Sequence, residues 1–227
     1  MTARLQQTPK MPANFVQARE TMVEQQVRPW DVLDPRVLEV LVALPRHAFV
    51  PAAHRALAYA DVELPLGHGE RMMKPVVEGR ALQALALDPG DAVLEIGTGS
   101  GFLAACLGRL SRDVLSLERH GDFAEAAQAR LREHGMRNVR VEQGDAFAWD
   151  TDRRFDALCV TGAVDTVPSR FLQWLRPGGR MFVVRGRAPA MEAVLVHADV
   201  NGSRVESLFE TDLAYLAGAA PLPAFQF

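Results

Sequence analysis

Short apolar runs recur along the second half of the chain and alternate with segments of helical periodicity. These runs are rich in β-branched residues, which favour strands, and helical patterns separate most of them. The runs span residues 92–97 (AVLEIG), 113–118 (DVLSLE), 138–145 (NVRVEQGD), 155–162 (FDALCVTG) and 180–186 (RMFVVRG). Strands that alternate with helices predict βαβ units, and therefore a parallel sheet covered by helices on both faces.

The C-terminal part of the chain predicts an antiparallel edge to this sheet. Residues 192–213 (EAVLVHADVNGSRVESLFETDL) have the pattern of two strands, joined at Asn201 and Gly202, a pair typical of hairpin turns. The predicted fold class is therefore α/β: a doubly wound, mostly parallel sheet of about seven strands with helices on both faces.

Helix signals dominate the N-terminal part. Asn14 is a candidate N-cap for a helix that Pro29 ends, and Asp34 caps a second helix with Pro35 at its first position. A third helix is predicted to begin at Pro75. These elements predict an N-terminal helical segment in front of the sheet.

The change of pattern near residue 88 predicts two parts of one compact unit. We expect residues 1–88 to form the helical segment with a lid loop, and residues 89–227 to form the ligand-binding core.

Composition narrows the class of protein. The chain has 227 residues, of which 48% are hydrophobic and 23% charged, and its net charge of -3 gives no electrostatic reason to expect a nucleic-acid partner. It lacks an apolar run of the ~20 residues needed to cross a bilayer, and it lacks the apolar core of a signal peptide. We therefore expect a cytoplasmic protein with no membrane partner and no metal site. Cys106 and Cys159 lie in apolar runs, so we expect buried free thiols.

The first predicted strand ends in a glycine-rich turn. Gly97, Gly99 and Gly101 let the backbone turn tightly and approach a ligand. A nicotinamide dinucleotide would prefer a third glycine or alanine where Phe102 stands. Glu95, before the turn, would repel a pyrophosphate but suits a cation. S-adenosylmethionine carries an ammonium, a sulfonium and no phosphate, so it fits this turn better.

Two further acids end the next strands. Glu118 lies where dinucleotide folds have an acid that binds ribose hydroxyls, and Asp145 follows the third strand, where it can meet an adenine amino group. Acids at three successive strand ends predict a site for a nucleoside ligand that carries positive charge.

These motifs resemble one family. The run VLEIGTGSGF together with MVEQQV, RHAFVP, LPLGHG and PGGR resembles the protein-L-isoaspartate O-methyltransferase family of class I methyltransferases, over most of the chain. The resemblance implies an S-adenosylmethionine-dependent protein carboxyl methyltransferase, which leaves S-adenosylhomocysteine as product. Its partner would be a peptide or protein with a free carboxylate, exposed by an isoaspartyl linkage. The oligomeric state stays undetermined.

The resemblance also implies site residues. It puts Gly97, Gly99, Gly101 and Glu95 against the methionine part of the cofactor, Glu118 at the ribose, and Gly144, Asp145 and Ala146 around the adenine. Thr161 would line the reaction site. The other residues that we expect to bind cofactor are Thr98, Ser100, Arg119, Met72 and Glu78.

The segment GHGERMMKP, residues 67–75, matches the family's lid loop GxGQTISxP. Arg71 and Met73 stand at the family's Thr and Ser positions, so the catalytic candidates are Met73, Thr161 and Arg71. We expect Met72 and Met73 to lie between cofactor and solvent rather than in the core. Arg71 and Lys74 could hold a carboxylate by charge-assisted hydrogen bonds or point to solvent.

Loss of the serine leaves alternatives open. One is a methyltransferase with another acceptor, and another is a protein that binds the cofactor without useful catalysis. A nicotinamide-dependent oxidoreductase is a more distant alternative.

Overall fold

A computed structural model describes residues 14–199 and 202–221. A seven-stranded sheet forms its centre, in the strand order β5-β4-β3-β6-β7-β8-β9, with a separate two-stranded hairpin, β1-β2. The strands are β1 Leu64–Gly67, β2 Glu70–Met72, β3 Ala92–Ile96, β4 Asp113–Glu118, β5 Val139–Gln143, β6 Phe155–Val164, β7 Leu175–Arg187, β8 Ala190–Asp199 and β9 Gly202–Glu210. The helices are α1 Phe15–Met22, α2 Pro35–Ala43, α3 Arg46–Phe49, α4 Pro75–Leu85, α5 Phe102–Leu110, α6 Gly121–Glu133 and α7 Ser169–Gln173.

The sheet confirms the predicted fold class. Strands β3 to β7 pair in parallel, and every residue of β3 is buried, as expected for a central strand covered on both faces. The chain winds outward from β3 to β5 on one side, and from β6 onward on the other. The order therefore reverses between β3 and β6, and a ligand site is expected at the carboxyl ends of those two strands.

The predicted C-terminal hairpin is confirmed. Strand β8 pairs antiparallel with both β7 and β9, and the turn falls between Asp199 and Gly202. Asn201 of the predicted turn lies outside the described residues, as do Phe225 and Phe227 of the C-terminal tail.

The N-terminal helices follow their predicted signals with one difference. The side chain of Asn14 caps α1, that of Asp34 caps α2, and α4 begins at Pro75. Pro29 does not end the first helical run, which continues through a π-helical and a 3-10 turn to Trp30. The run ends at Trp30, one residue after Pro29, and the next residue, Asp31, has a left-handed backbone with a φ of 62°.

One hydrophobic core joins the N-terminal segment to the sheet. Met22, Leu41 and Leu82 share a buried cluster with Phe102 and Phe182. Cys106 and Cys159 are fully buried free thiols, as expected, and burial raises the pKa of both. Within the described ranges, no helix combines the length and the apolar character needed to span a bilayer.

The predicted lid loop, residues 67–75, comprises the turn and second strand of the β1–β2 hairpin and leads to the start of α4. The tip residues Gly67, His68 and Gly69 all have positive φ (125°, 51° and 82°). The expectation that the two methionines lie between ligand and solvent is wrong: Met72 is 4% exposed and Met73 5%, within the core cluster. Strand alternation explains the burial of Met72, because Arg71 faces outward and its neighbour in β2 must face inward.

Candidate functional site

A deep opening lies at the carboxyl ends of β3, β4, β5 and β6. We call it the outer cleft; it holds about 830 Å³ of empty space, including its open mouth. Its walls are these strand ends, the β1–β2 hairpin and the segment 213–217. Gly97, Gly99, Glu118, Arg119, Gly144, Asp145, Ala146, Thr161 and Arg71 of the predicted site line it.

The glycine turn after β3 forms the floor of the outer cleft. Gly97 has a φ of 93°, and a Cβ there would lie 2.3 Å from Oγ1 of Thr161, so only glycine fits. The Thr161 hydroxyl faces the carbonyl oxygens of Gly97 (2.7 Å) and Ile96 (2.9 Å). Because its single proton serves these carbonyls, Thr161 fixes the turn and retains only acceptor capacity toward a ligand.

Gly101 lies behind the turn. It has a φ of 84° and is the N-cap residue before α5, and a Cβ there would lie 3.1 Å from Cβ of Ala127. It lines neither the outer cleft nor the cavity described below. The geometry therefore assigns Gly101 to helix packing rather than to direct ligand contact.

Glu118 is held in a fixed orientation at the end of β4. It is 5% exposed, and its two carboxylate oxygens accept hydrogen bonds from the backbone N–H groups of Gly99 (2.7 Å) and His120 (2.9 Å). Each oxygen keeps a lone pair for a further donor, such as a hydroxyl group in the cleft.

Residues after β5 form the far wall of the cleft. Asp145 is exposed, and its Oδ1 accepts a hydrogen bond from the backbone N–H of Phe147 at 2.8 Å. Ala146 is buried, and a Cβ on Gly144 would lie 3.3 Å from the ring of Trp149. This wall combines a flat apolar surface with one carboxylate, which suits a purine ring with an exocyclic amino group.

A second, smaller space lies behind the glycine turn. We call it the inner cavity; its empty volume is about 310 Å³. It is lined by Met72, Met73, Glu78, Glu95, Thr98, Ser100 and Leu103, and it shares Leu66, Arg71, Gly97, Gly99 and Thr161 with the outer cleft. The two spaces therefore meet across the glycine turn and can hold two ends of one ligand.

Arg46 and Glu78 form a buried ion pair beside the inner cavity. Arg46 Nε lies 3.0 Å from Glu78, and its other nitrogens donate to the carbonyl oxygens of Ala58 (3.0 Å) and Met73 (2.6 Å). Their side chains are 0% and 2% exposed. Burial raises the pKa of Glu78 to about 7, although Arg46 opposes this shift.

The sequence analysis did not identify Arg46 as a site residue. The only sequence signal was a single arginine within the apolar stretch ALPRHAFV.

Glu95 lies in the inner cavity rather than beside Glu118. Its side chain is fully buried, one oxygen accepts a hydrogen bond from Ser116, and Ser116 in turn contacts Thr98. The other oxygen, Oε1, has no hydrogen-bond partner within the described part of the chain. Burial raises the pKa of Glu95 to about 8, and the charges of Glu118 and Glu78 act in the same direction.

The hairpin brings charged groups to the entrance. Arg71 is exposed, lines both spaces and forms no ion pair with any described residue. His68 at the tip stacks on His120 with ring centroids 4.3 Å apart, and its Nε2 lies 3.0 Å from Asp122. These contacts hold the hairpin against the start of α6.

The C-terminal segment forms the remaining wall, which the sequence did not predict. The N–H of Leu216 donates to the carbonyl of Ala163 at 2.9 Å, and a Cβ on Gly162 would lie 2.7 Å from the Leu216 side chain. The glycine in the motif TGAV therefore lets Leu216 approach the end of β6.

Comparisons with known proteins agree on one family. Residues 17–215 match the sequence model described as protein-L-isoaspartate(D-aspartate) O-methyltransferase. A protein-L-isoaspartate O-methyltransferase from a Synechococcus strain is 43% identical over 185 residues, which cover 81% of this chain and 76% of the relative. Protein-L-isoaspartate O-methyltransferase 1 from Rhodopseudomonas palustris is 36% identical over 208 residues, which cover 90% and 85% of the two chains.

A solved structure supports the fold independently. A Plasmodium falciparum chain assigned to the same methyltransferases, in complex with S-adenosyl-L-homocysteine, superposes with a TM-score of 0.77. The match covers 87% of this chain and 97% of the other, at 18% sequence identity. At that identity the likeness concerns the fold alone.

Proposed function

Because the chain belongs to the protein-L-isoaspartate(D-aspartate) O-methyltransferase family, we infer that it transfers a methyl group from S-adenosylmethionine to the free carboxylate of an isoaspartyl residue. It is an S-adenosylmethionine-dependent protein carboxyl methyltransferase. The structural observation that carries this function is the glycine turn between the two joined spaces, with Glu118 on one side and Glu95 on the other.

The residues present fit this cofactor. The fixed carboxylate of Glu118 can accept hydrogen bonds from ribose hydroxyls, and the apolar wall at Ala146 with Asp145 fits an adenine. The unpartnered oxygen of Glu95 fits an ammonium group in the inner cavity, together with Thr98 and Ser100 at the turn. When bound, the cofactor supplies an electrophilic methyl group on a sulfonium.

The acceptor carboxylate must be held in the right position, but it does not need a base to activate it. A carboxyl group with a pKa near ~4 is ionised at neutral pH, so transfer requires no general base. It requires an in-line approach of the carboxylate to the methyl group, within ~3–3.5 Å. The chain's own contribution is therefore to hold and orient the acceptor.

We assign that task to Arg71. Its guanidinium has no ion-pair partner within the described residues, and it lines the region where the two spaces meet. Met73, at the family's serine position, is buried and its thioether is only a weak acceptor, so it shapes the cavity without binding a carboxylate. A bidentate guanidinium can replace the orienting hydroxyl, because it matches carboxylate geometry.

Thr161 acts through the glycine turn. Its hydroxyl holds the carbonyl oxygens of Ile96 and Gly97, which fixes the floor on which the methyl group would lie. We propose that Thr161 positions this turn and also borders the acceptor.

The free thiols and the net charge indicate the cellular compartment and the class of partner. We propose that the acceptor is a damaged peptide or protein in the cytoplasm, where two free buried thiols such as Cys106 and Cys159 stay reduced. The net charge of -3 favours no nucleic-acid partner.

The test is methyl transfer from labelled S-adenosylmethionine to a peptide that contains isoaspartate, with the matching aspartyl peptide as control. We expect label in the isoaspartyl peptide only. Equal labelling of both peptides, or none in either while S-adenosylhomocysteine binds, would contradict the proposed acceptor.

A further inference from the structure

Two buried carboxyl groups, Glu78 and Glu95, line the inner cavity, and among the described residues Arg46 beside it is the one buried cation. Arg46 contacts Glu78 at 3.0 Å and 3.3 Å, so the charge of the guanidinium is matched there. Glu95 is equally buried, yet its partner on one oxygen is a serine hydroxyl, and the other oxygen has no partner in the described residues. The cavity is therefore one positive charge short of neutralising both acids.

This imbalance decides the protonation of the two acids. Arginine stays charged in proteins and Arg46 contacts Glu78 directly, so its charge favours ionisation of Glu78 and not of Glu95. An ionised Glu95 would be a buried charge with no counter-ion, which is so unfavourable that such groups take up a proton instead. Burial raises its pKa to about 8, which agrees with a neutral Glu95 at neutral pH.

Among the described residues, the groups around Glu95 include no other counter-ion. Glu78 on α4 and Glu118 at the end of β4 are negative, and both disfavour its ionisation. The thiols of Cys106 on α5 and Cys159 on β6 are neutral, because burial raises their pKa. Arg71 on β2 is exposed and forms no ion pair with Glu95.

We propose that Glu95 carries a proton in the cofactor-free protein and releases it to solvent when the ammonium group of the cofactor's methionine part enters the inner cavity. The O–H bond of Glu95 breaks, the proton goes to the buffer, and the carboxylate pairs with the ammonium. No bond of the cofactor changes. The inference rests on the proposed function, because it takes S-adenosylmethionine or its product as the ligand.

The release has a defined size and pH dependence. With a pKa of about 8, roughly 0.9 of the Glu95 side chains are protonated at about pH 7 and roughly 0.1 at about pH 9. Because binding then expels a proton, affinity should rise roughly tenfold per unit between about pH 6 and pH 7 and level off above about pH 8.5.

Calorimetric titration with S-adenosylhomocysteine measures the released proton directly. The binding enthalpy is compared in phosphate and Tris, which differ in ionisation enthalpy, at about pH 7. We expect a release of roughly 0.9 proton per site, falling toward zero near pH 9. Methylthioadenosine, which has the nucleoside but lacks the amino-acid group, should bind without release.

A matched variant identifies the source of the proton. Glu95→Gln keeps the size of the side chain and an oxygen for Ser116, so the fold should persist, which circular dichroism can check. In this variant, S-adenosylhomocysteine should bind with no proton release and with an affinity that is flat between about pH 6 and pH 8.

Three results would overturn the proposal. They are binding of S-adenosylhomocysteine to the wild type without proton release, equal proton release when methylthioadenosine binds, and undiminished proton release when S-adenosylhomocysteine binds to Glu95→Gln. All three leave the proposed methyltransferase function standing. Failure of S-adenosylhomocysteine to bind at all would instead contradict that function, and the proposal with it.

Discussion

Replacement of Arg46 by methionine tests how the buried ion pair beside the inner cavity stabilises the fold. Arg46 is fully buried and makes contacts with Glu78 and with the carbonyl oxygens of Ala58 and Met73. Methionine fills a similar volume but leaves Glu78 without a counter-ion and two buried carbonyl groups without donors. Breaking a buried pair in this way costs about 3–5 kcal/mol, a large part of a domain's total stability of about 5–15 kcal/mol.

The loss of stability in Arg46→Met should increase with pH. Without Arg46, the pKa of Glu78 is raised further above its unfolded value by burial, so the folded state holds a proton that the unfolded state releases. Protonation of Glu78 therefore contributes stability that is fully present below about pH 4.5 and is lost as the pH rises through the pKa of Glu78 in the folded state. The deficit of Arg46→Met should therefore be larger at about pH 8 than at about pH 5.

Urea unfolding at both pH values measures the effect. Arg109→Met is the matched control, because Arg109 is an exposed arginine on α5 and should lose less than about 0.5 kcal/mol. The double variant Arg46→Met, Glu78→Met should recover part of the loss, since no unpaired charge remains. A deficit below about 1 kcal/mol, or one equal to that of the control, would refute the view that this pair supports the site.

Three further substitutions test the site itself. Glu118→Gln should weaken binding of S-adenosylhomocysteine about tenfold or more in calorimetric titration, because a charged acceptor is lost; unchanged affinity would argue against a role at the ribose. Arg71→Ala should raise KM for the isoaspartyl peptide about tenfold and leave the affinity for S-adenosylhomocysteine unchanged. Arg71→Lys should have an intermediate KM, and Lys74→Ala is the control. An unchanged KM in Arg71→Ala would show that Arg71 does not bind the acceptor. Gly162→Ala should lower the free energy of unfolding by about 1–3 kcal/mol, because the new Cβ would lie 2.7 Å from the Leu216 side chain. Gly90→Ala is the control, because a Cβ added there has no heavy atom within 4 Å. Equal effects of the two substitutions would contradict the close approach of Leu216 to Gly162.

Local signals made most of the fold predictable from the sequence. The caps at Asn14 and Asp34 and the helix start at Pro75 depend on neighbouring residues alone. Strands β3, β4 and β6 follow from apolar runs that are buried on both faces. The hairpin after β8 follows from one turn motif.

Contacts between distant segments could not be predicted in the same way. Arg46 and Glu78 are 32 positions apart, and nothing near either residue indicates the other. The burial of Met72 and Met73 depends on a hairpin that docks on the core, so their polar neighbours misled the prediction. Leu216 lies in a segment without periodicity, and its approach to Gly162 appears only when the chain returns across the sheet.

The position of the transferred methyl group tests the central claim most directly. An isoaspartyl peptide with a free C-terminal carboxylate is incubated with S-adenosylmethionine that carries a deuterated methyl group, and fragmentation mass spectrometry locates the label. The account predicts a methyl ester on the carboxylate of the isoaspartyl residue and none elsewhere. Label at the C-terminal carboxylate, on another side chain, or nowhere in the peptide would contradict it.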